Sequence, residues 1–369
     1  MMRAAIYRAF GAPILVENVP RPNLSQIREG GGGGGGGGGV ILRVRACGVC
    51  RSDHHGWRGH DSDVFSHGLP FVPGHELSGE IVEVSGSSSS KFKVGDAVAV
   101  PFILSCGACP ECDNSRPTTC EKQQQPGFTQ WGGFAEYVAI PHADRNMCHI
   151  PENVSFAAAA AVGCRVTTAY RAVVEQGKLK DNATVAVFGA GGVGLSSVLV
   201  AKTFANNTQV LAVDISEAAL ATASALGADA TVRMEVGADP ADAAEAAKAA
   251  LGKSIDITID AGGFTDTARA ALLATRRGGT YVQVGLPLSL PGFTGDHLAR
   301  VAGHEIHVVG SHGAAPSALP TVLDAISDGR LAVSDLISRE LDLEEGAKAL
   351  MAMDDATHAH PGVSVITRF

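Results

Sequence analysis

The stretch that decides the fold runs from Val185 to Ser197 and reads VAVFGAGGVGLSS. It begins as an apolar, β-branched run, passes through a glycine-rich turn and continues with the pattern of a helix. A G-x-G-x-x-G motif alone is weak evidence, but here it joins a predicted buried strand to a predicted helix. The next predicted strand ends at Asp214, twenty residues after Gly194. This spacing predicts a dinucleotide-binding βαβ unit, and a glycine turn in an unrelated α/β sheet is the alternative.

Each part of the motif has a physical role in binding a dinucleotide. Glycines let the backbone approach a pyrophosphate, and the N-terminus of the following helix offers unpaired N–H groups and the positive end of its dipole. A carboxylate at the end of the second strand accepts hydrogen bonds from the adenosine ribose. The residues that we predict for this site are Gly189, Gly191, Gly192, Gly194 and Asp214.

Asp214 also bears on the choice between NAD and NADP. Its carboxylate would repel a phosphate on the ribose, and no Lys or Arg follows closely in DISEAAL, residues 214–220. The sequence therefore favours NAD.

Strand and helix patterns alternate around this motif, from about residue 182 to residue 287. Predicted strands at TQVLAVD, ATVRM, SIDITIDAGG and GGTYVQVGLP alternate with predicted helices at SEAALATASALG, DPADAAEAAKAALG and TARAALLATRR. Repeated βα units of this length predict a parallel sheet with helices on both faces. The first half of the chain differs, because it contains short β-branched runs such as GVILRVRACGVC, SGEIVEVSG and GDAVAVPFIL.

Composition and charge exclude several classes of function. The chain has 369 residues, a formal net charge of -9 and no run of Lys and Arg, so it lacks the basic surface of a nucleic-acid binder. No apolar run approaches the roughly 18 residues that a membrane-spanning helix needs. We expect a cytoplasmic protein. The runs Gly30–Gly39 and Ser87–Ser90 are predicted to be flexible insertions.

Cysteines cluster in CGACPECDNSRPTTC, residues 106–120, which holds four of the eight cysteines at spacing C-x2-C-x2-C-x7-C. Such a cluster forms disulfides, a redox pair or a metal site. In an intracellular protein disulfides are disfavoured, and clustered thiols more often bind metal or perform catalysis. A second set of candidate ligands, Cys50, His75 and Cys164, is dispersed over the chain and fits the three protein ligands of a catalytic zinc.

Taken together, these motifs resemble those of the zinc-containing medium-chain alcohol dehydrogenases over nearly the whole chain. The markers are CGVCRSD, GHE, the four-cysteine loop, GC at residues 163–164 and GAGGVG. The resemblance implies an α/β fold, with a GroES-like, mixed-β catalytic domain and a Rossmann-like, doubly wound coenzyme domain. It places the catalytic domain at 1–164 with a structural-zinc lobe at 105–121, the coenzyme domain at 165–309, and a return to the catalytic domain at 310–369.

The resemblance implies two zinc ions per chain and NAD as the cofactor. Catalytic zinc would be bound by Cys50, His75 and Cys164. It would act as a Lewis acid on a small alcohol or aldehyde while NAD accepts or supplies the hydride. The ligands implied for the structural zinc are Cys106, Cys109, Cys112 and Cys120.

Further roles follow from the same resemblance. Ser52 and His55 match a proton relay, Asp53 matches the carboxylate that orients a ligand histidine, and Glu76 lies near the metal. The cofactor positions are Arg51 at the pyrophosphate, with Thr168 and Val193 flanking the nicotinamide. Trp57 and Phe102 match positions in the substrate pocket. The implied assembly is a homotetramer in preference to a dimer.

Two positions depart from the family pattern. Arg165 follows the third zinc ligand, where much of the family has Gly, and we expect it to contact substrate or cofactor. His312, in GSHG, is also atypical and would lie near the cofactor amide or a subunit interface. Polyol, threonine and glutathione-dependent formaldehyde dehydrogenases share the scaffold and remain alternatives, and so does a non-catalytic nucleotide sensor.

Overall fold

The structure is a computed structural model that describes residues 1–27, 38–85, 91–287, 294–355 and 362–369. Most of the glycine run predicted as an insertion, Gly30–Gly37, lies outside the described residues, as does the serine run Ser87–Ser90. No helix in the described ranges is long and apolar enough to cross a membrane.

The chain forms two compact units. The first unit comprises Met1–Thr167, Gly313–Gly329 and Ile337–Phe369, and the second comprises Thr168–His312 and Arg330–Leu336. These divisions lie three residues beyond the boundaries expected from the sequence, at 164/165 and 309/310. In addition, Arg330–Leu336 belongs to the second unit, whereas the sequence assigned it to the C-terminal return.

Strands and helices are numbered along the chain. The strands are β1 (Met2–Ile6), β2 (Leu15–Val19), β3 (Val40–Val49), β4 (Glu76–Val84), β5 (Ala97–Val100), β6 (Tyr137–Ile140), β7 (Cys148–His149), β8 (Thr184–Phe188), β9 (Gln209–Asp214), β10 (Ala230–Arg233), β11 (Ile255–Asp260), β12 (Thr275–Gln283), β13 (His307–Gly310), β14 (Ile337–Asp342) and β15 (Val363–Arg368). The helices are α1 (Arg51–Trp57), α2 (Ser62–His67), α3 (Pro110–Asp113), α4 (Ala143–Asn146), α5 (Phe156–Ala161), α6 (Thr167–Tyr170), α7 (Gly192–Thr203), α8 (Glu217–Ala225), α9 (Pro240–Leu251), α10 (Thr265–Ala274), α11 (Gly295–His304), α12 (Ala318–Ser327) and α13 (Leu343–Met351).

The first unit is built around a mixed sheet with the strand order β14-β15-β3-β4-β5-β7, in which β6 also pairs with β3. The long strand β3 pairs antiparallel with β4, and Gly48 lies opposite Glu76 in their register. The apolar core is formed by side chains from these strands and from β1, with Tyr7, Phe71 and Phe134 among its largest buried members. This sheet confirms the mixed-β domain expected for the first half of the chain.

The second unit contains a six-stranded sheet in the order β10-β9-β8-β11-β12-β13, and every neighbouring pair is parallel. Renumbered within the unit, this is the order 3-2-1-4-5-6 of dinucleotide-binding folds. The predicted helix TARAALLATRR is wrong at its end, because α10 stops at Ala274 and Thr275 already belongs to β12. The Thr275 hydroxyl bonds to the Thr258 hydroxyl of the neighbouring strand, at 2.7 Å, and also donates to the Ala271 carbonyl.

The glycines of the β8–α7 turn are required by close backbone approaches. Gly189 has a φ of +93°, which favours glycine, and its backbone lies against Gly262. A Cβ at Gly194 would lie 1.8 Å from the Gly189 carbonyl oxygen, whereas a Cβ at Gly191 would meet nothing within 4 Å. Gly194 therefore permits the turn itself, and Gly191 leaves open space at the N-terminus of α7.

This difference predicts unequal stability effects for two alanine variants. Gly194→Ala gains about 1 kcal/mol of helix propensity but forces an overpacked contact, so we expect a net loss of about 1–3 kcal/mol. For the second unit, this loss of stability lowers the melting temperature by about 3–10 °C. Gly191→Ala is the matched control and should shift it by less than about 2 °C, as measured by calorimetry. Equal melting temperatures for the two variants would contradict this interpretation of the turn.

Candidate functional site

Four potential ligands meet at one buried point of the first unit. One ligand atom from each of Cys50, His75, Glu76 and Cys164 lies within 4.8 Å of all the others, and all four residues are buried. Cys50 caps the start of α1 directly after β3, and His75 directly precedes β4. Antiparallel pairing of β3 and β4 therefore brings these two ligands together.

Cys164 reaches the same point from a different part of the chain. It lies in the π-helical turn Val162–Val166, which continues α5. Such turns are rare and occur often at functional sites, because they displace a side chain from the regular helical face. The sequence predicted the helix and the ligand, but it did not predict this widening of the helix.

Asp53 fixes the orientation of the His75 ring. Nδ1 of His75 lies 2.9 Å from Oδ1 of Asp53, and the Gly74 N–H donates to the same oxygen at 2.8 Å. The other ring nitrogen, Nε2, is buried and has no hydrogen-bond partner. Burial lowers the pKa of His75, but the charges of Asp53 and Cys50 outweigh it, so the net pKa is raised. A bound cation would replace the proton on Nε2.

The surroundings of the two thiols near His75 shift their pKa values in opposite directions. A hydrogen bond from Cys164, together with the charges of Arg165 and His75, lowers the pKa of Cys50 well below its ordinary value, and the pKa of Cys164 is raised. The groups around Cys50 thus favour its thiolate form although the sulfur is buried away from water. Two sulfurs, one free imidazole nitrogen and a nearby carboxylate fit the ligand preference of a catalytic zinc.

Arg165 is paired with Glu76 inside the same cluster. Nε of Arg165 lies 3.1 Å from Oε1 of Glu76, and both side chains are almost completely buried. The guanidinium also donates to the carbonyl of Val49. Burial raises the pKa of Glu76 to about 8, while the Arg165 charge opposes that increase. Arg165 therefore contacts Glu76, the Val49 carbonyl and the side chain of Cys50, and the sequence did not anticipate its pairing with Glu76.

The proposed relay residues lie on α1, next to Cys50. The Ser52 hydroxyl lies 3.9 Å from the Cys50 sulfur, and His55 is half-buried one turn further along. No hydrogen bond joins Ser52 to His55 within the described residues. Burial lowers the pKa of His55, and the positive charge of Arg51 adds to this effect. His55 is therefore neutral around pH 7.

Other predicted residues of this unit occupy different surroundings. Arg51 is exposed and donates to Asp354 and to the Met353 carbonyl, both at 2.7 Å. Phe102 packs edge-on against the His75 ring, with 5.7 Å between ring centroids, beside the metal-ligand cluster. Trp57 belongs to the apolar core and donates its indole N–H to the Ala12 carbonyl, at 2.7 Å.

The four-cysteine loop forms a second cluster. Its sulfur atoms all lie within 4.8 Å of one another, and Cys109 is 3.6 Å from Cys112 and 3.7 Å from Cys120. A tetrahedral zinc with Zn–S bonds of about 2.3 Å separates its sulfurs by about 3.8 Å. The Cys112 N–H lowers the pKa of Cys109 to about 6. The Cys106 and Ala108 N–H groups also point at sulfurs of the cluster, so the loop fits a closed structural site.

In the second unit the glycine motif and Asp214 lie at the carboxyl ends of β8 and β9, whereas Thr168 lies in α6. The Asp214 carboxylate accepts from the Ala190 N–H at 2.6 Å and from the Ser216 N–H at 2.8 Å, so it ties the glycine turn to the end of β9. Gly191 is exposed, and Gly192 and Val193 are half-buried. Thr168 is buried, and its hydroxyl has no hydrogen-bond partner.

Sequence reasoning missed Asp260 at the end of β11. Its carboxylate accepts from the N–H groups of Gly262 and Gly263, both at 3.1 Å, and from the Gln283 amide at 2.6 Å. These bonds hold Gly262 against Gly189. The signal available was DAGG at the end of the predicted strand SIDITIDAGG. The His312 side chain is exposed, and its carbonyl accepts from Arg171 at 3.2 Å.

Comparisons with known proteins agree with this geometry. Residues 36–152 match the alcohol dehydrogenase GroES-like domain, and residues 192–328 match the zinc-binding dehydrogenase domain. An alcohol dehydrogenase from Geobacillus stearothermophilus is 36% identical over 78% of each chain. D-xylulose reductase A from Aspergillus oryzae is 30% identical over 84% of this chain and 85% of its own. The crystal structure of an alcohol dehydrogenase from E. coli CFT073 with NADH superposes with a TM-score of 0.81, at 26% identity over 99% of each chain.

The four-cysteine cluster predicts how zinc content depends on single thiols. Cys120→Ser should reduce the zinc content from two ions per chain to about one and lower the melting temperature by more than about 5 °C, because a closed site contributes folding free energy. Cys148→Ser, at a half-buried thiol outside both clusters, is the control and should keep both ions. Metal analysis after desalting measures the zinc content of both variants. Two zinc ions per chain in the Cys120 variant would contradict the assignment of the four cysteines to a structural zinc.

Proposed function

This chain belongs to the zinc-containing medium-chain alcohol dehydrogenase family, and on that premise we propose a role for each residue of its site. The chain is an enzyme that transfers a hydride between an alcohol, or its carbonyl product, and NAD. The observation that carries the residue assignment is the buried cluster of Cys50, His75 and Cys164, in which the His75 Nε2 lacks a partner. Such an orphaned nitrogen is unfavourable unless a cation binds it.

Cys50, His75 and Cys164 would hold the catalytic zinc. When bound, zinc acts as a Lewis acid that lowers the pKa of an alcohol hydroxyl and so eases loss of hydride from the carbon. Asp53 keeps His75 in the tautomer with its lone pair on Nε2 and increases its basicity. Phe102 covers the His75 ring and excludes water from one side of the site.

Ser52 and His55 would carry the proton away from the reacting hydroxyl. The Ser52 hydroxyl lies beside Cys50 and can both accept and donate a proton. His55 is neutral near pH 7 because burial lowers its pKa, so its free nitrogen can accept a proton. Because the His55 ring is half-exposed, it can then release the proton to solvent.

NAD would bind through the glycine turn of the second unit. The α7 N-terminus offers unpaired N–H groups to the pyrophosphate at Gly191 and Gly192, and Asp214 accepts from the adenosine ribose. Val193 and Thr168 would flank the nicotinamide. Arg51 stays a proposed pyrophosphate ligand on the family resemblance, and its guanidinium is exposed in an ion pair with Asp354.

The substrate is best described as a small alcohol and its aldehyde or ketone. The likeness to a D-xylulose reductase makes a polyol the second candidate. Glu76 among the ligands gives that candidate some support, because polyol dehydrogenases often use a carboxylate as the third ligand. Cys164 occupies that position here and favours a simple alcohol.

We also propose that the enzyme works in the cytoplasm as a homotetramer. Eight cysteines without a disulfide suit a reducing compartment. The tetramer rests on the family alone, and sedimentation at several concentrations would distinguish it from a dimer.

Reduction of NAD against a panel of primary, secondary and polyhydroxy alcohols tests the function. Turnover of one class should disappear after a chelator removes zinc and return with added zinc, and NADP assayed in parallel should be used at least about 10-fold less well. No turnover of any alcohol or aldehyde by protein that holds two zinc ions and binds NAD would contradict the proposal and favour a nucleotide sensor.

The proposed relay predicts a pH-dependent defect. Below its lowered pKa, His55 is protonated and cannot accept a proton, whereas above that pKa the neutral ring can accept one. Oxidation of the alcohol by the wild type should therefore persist below pH 6.5. His55→Gln should lower kcat about 10-fold or more between about pH 6 and 7, with a smaller loss at alkaline pH, where hydroxide takes over. His60→Gln removes an exposed neighbouring histidine and is the control. Identical pH profiles of kcat for both variants would remove His55 from the relay.

A further inference from the structure

The buried ion pair between Arg165 and Glu76 lies within the proposed catalytic metal site. Both side chains are inaccessible to solvent, and Nε of Arg165 is 3.1 Å from the Glu76 carboxylate. Oε1 of Glu76 takes part in this ion pair, and neither buried carboxylate oxygen accepts a hydrogen bond. A buried carboxylate within 4.8 Å of three other ligand atoms is a competent fourth ligand for a metal.

Two backbone features hold this pair in place. A Cβ at Gly48 would lie 2.0 Å from Oε2 of Glu76, so the absence of a side chain at Gly48 makes room for the carboxylate. The guanidinium of Arg165 donates to the Val49 carbonyl, one residue before the ligand Cys50. Arg165 is thereby fixed on the side of Glu76 that faces β3.

Arg165 supplies the positive charge that faces Glu76. With zinc bound, thiolates at Cys50 and Cys164 and the carboxylates of Glu76 and Asp53 would carry four negative charges, against two positive charges from the metal and one from Arg165, so removal of Arg165 increases the excess of negative charge. Without Arg165, the Glu76 carboxylate would be buried with the metal as its sole strong counter-charge. A buried carboxylate then gains most by binding that metal directly.

We propose that Arg165 is a positioning residue that holds Glu76 away from the catalytic metal and so keeps the fourth coordination position open to substrate. The proposal rests on the proposed catalytic metal site. Under this proposal Arg165 does not make the contact to substrate or cofactor that the sequence predicted. It controls instead whether the Glu76 carboxylate or a substrate oxygen binds the metal.

The experiment measures the affinity of a small exogenous ligand for the metal. Cobalt(II) replaces zinc at the catalytic site, and imidazole binding is followed through the visible absorption of the metal. Arg165→Met removes the charge at similar length, and we expect at least 10-fold weaker imidazole binding because Glu76 occupies the position. Arg165→Lys keeps the charge and should stay within about 3-fold of the wild type.

A double variant separates this effect from a general loss of structure. Arg165→Met combined with Glu76→Gln removes the competing carboxylate, so imidazole affinity should return to within about 3-fold of the wild type. Arg171→Met breaks a half-buried ion pair outside the site and is the control, with unchanged affinity. If Arg165→Met fails to fold, Arg165→Gln carries the same expectation, since its amide can still donate to the Val49 carbonyl.

Two outcomes would overturn the proposal. The first is unchanged imidazole affinity in the Arg165 variants, and the second is weakened binding that the Glu76 change does not restore. The proposed function fails in a different way, because cobalt in the wild-type protein would then occupy only the four-cysteine site, and imidazole would not change its absorption. Normal cobalt absorption with unchanged imidazole affinity would therefore contradict the role of Arg165 alone.

Discussion

Burial of several anionic ligands at one point is the constraint on which the rest of the first unit depends. Two thiols, an imidazole and a carboxylate lie within 4.8 Å of one another at a buried site. Such groups repel each other and lose their hydration, so the arrangement is stable only with cations to compensate. In the proposed site a metal would supply two of these positive charges and Arg165 one. Asp53 accepts from the Nδ1 side of His75, so that Nε2 would face the metal.

The backbone around the cluster is consistent with this constraint. Ligands come from a strand-to-helix junction, from the residue before a neighbouring strand and from a π-helical turn, so no single element has to carry the whole set. The second unit meets a different requirement, because a pyrophosphate needs bare backbone N–H groups rather than side chains. Gly189 and Gly194 permit the turn that presents them, and Asp260 braces the loop that lies against it.

The four-cysteine loop and the coenzyme turn could be predicted from sequence because each depends on short spacings, whereas the dispersed set Cys50, His75 and Cys164 was predicted through the family resemblance. Four cysteines within fifteen residues and a glycine motif between a strand and a helix are local signals. The parallel sheet followed from alternating patterns for the same reason. Three features could not be predicted, because they arise from contacts between distant segments. Arg165 meets Glu76 from 89 positions away, Arg51 pairs with Asp354 near the C-terminus, and Arg330–Leu336 joins the second unit. The end of α10 depends likewise on a bond from Thr275 to another strand.

X-ray absorption at the zinc edge, combined with metal analysis, tests the assignment of the two metal sites most directly. Four sulfurs at one site and two at the other give an average of three sulfur ligands per zinc, with two ions per chain and the remaining ligands nitrogen or oxygen. We expect that average in the purified wild-type protein, at Zn–S distances of about 2.3 Å. A single zinc with four sulfurs, or two ions with an average near four or near two, would contradict the division into one closed and one open site.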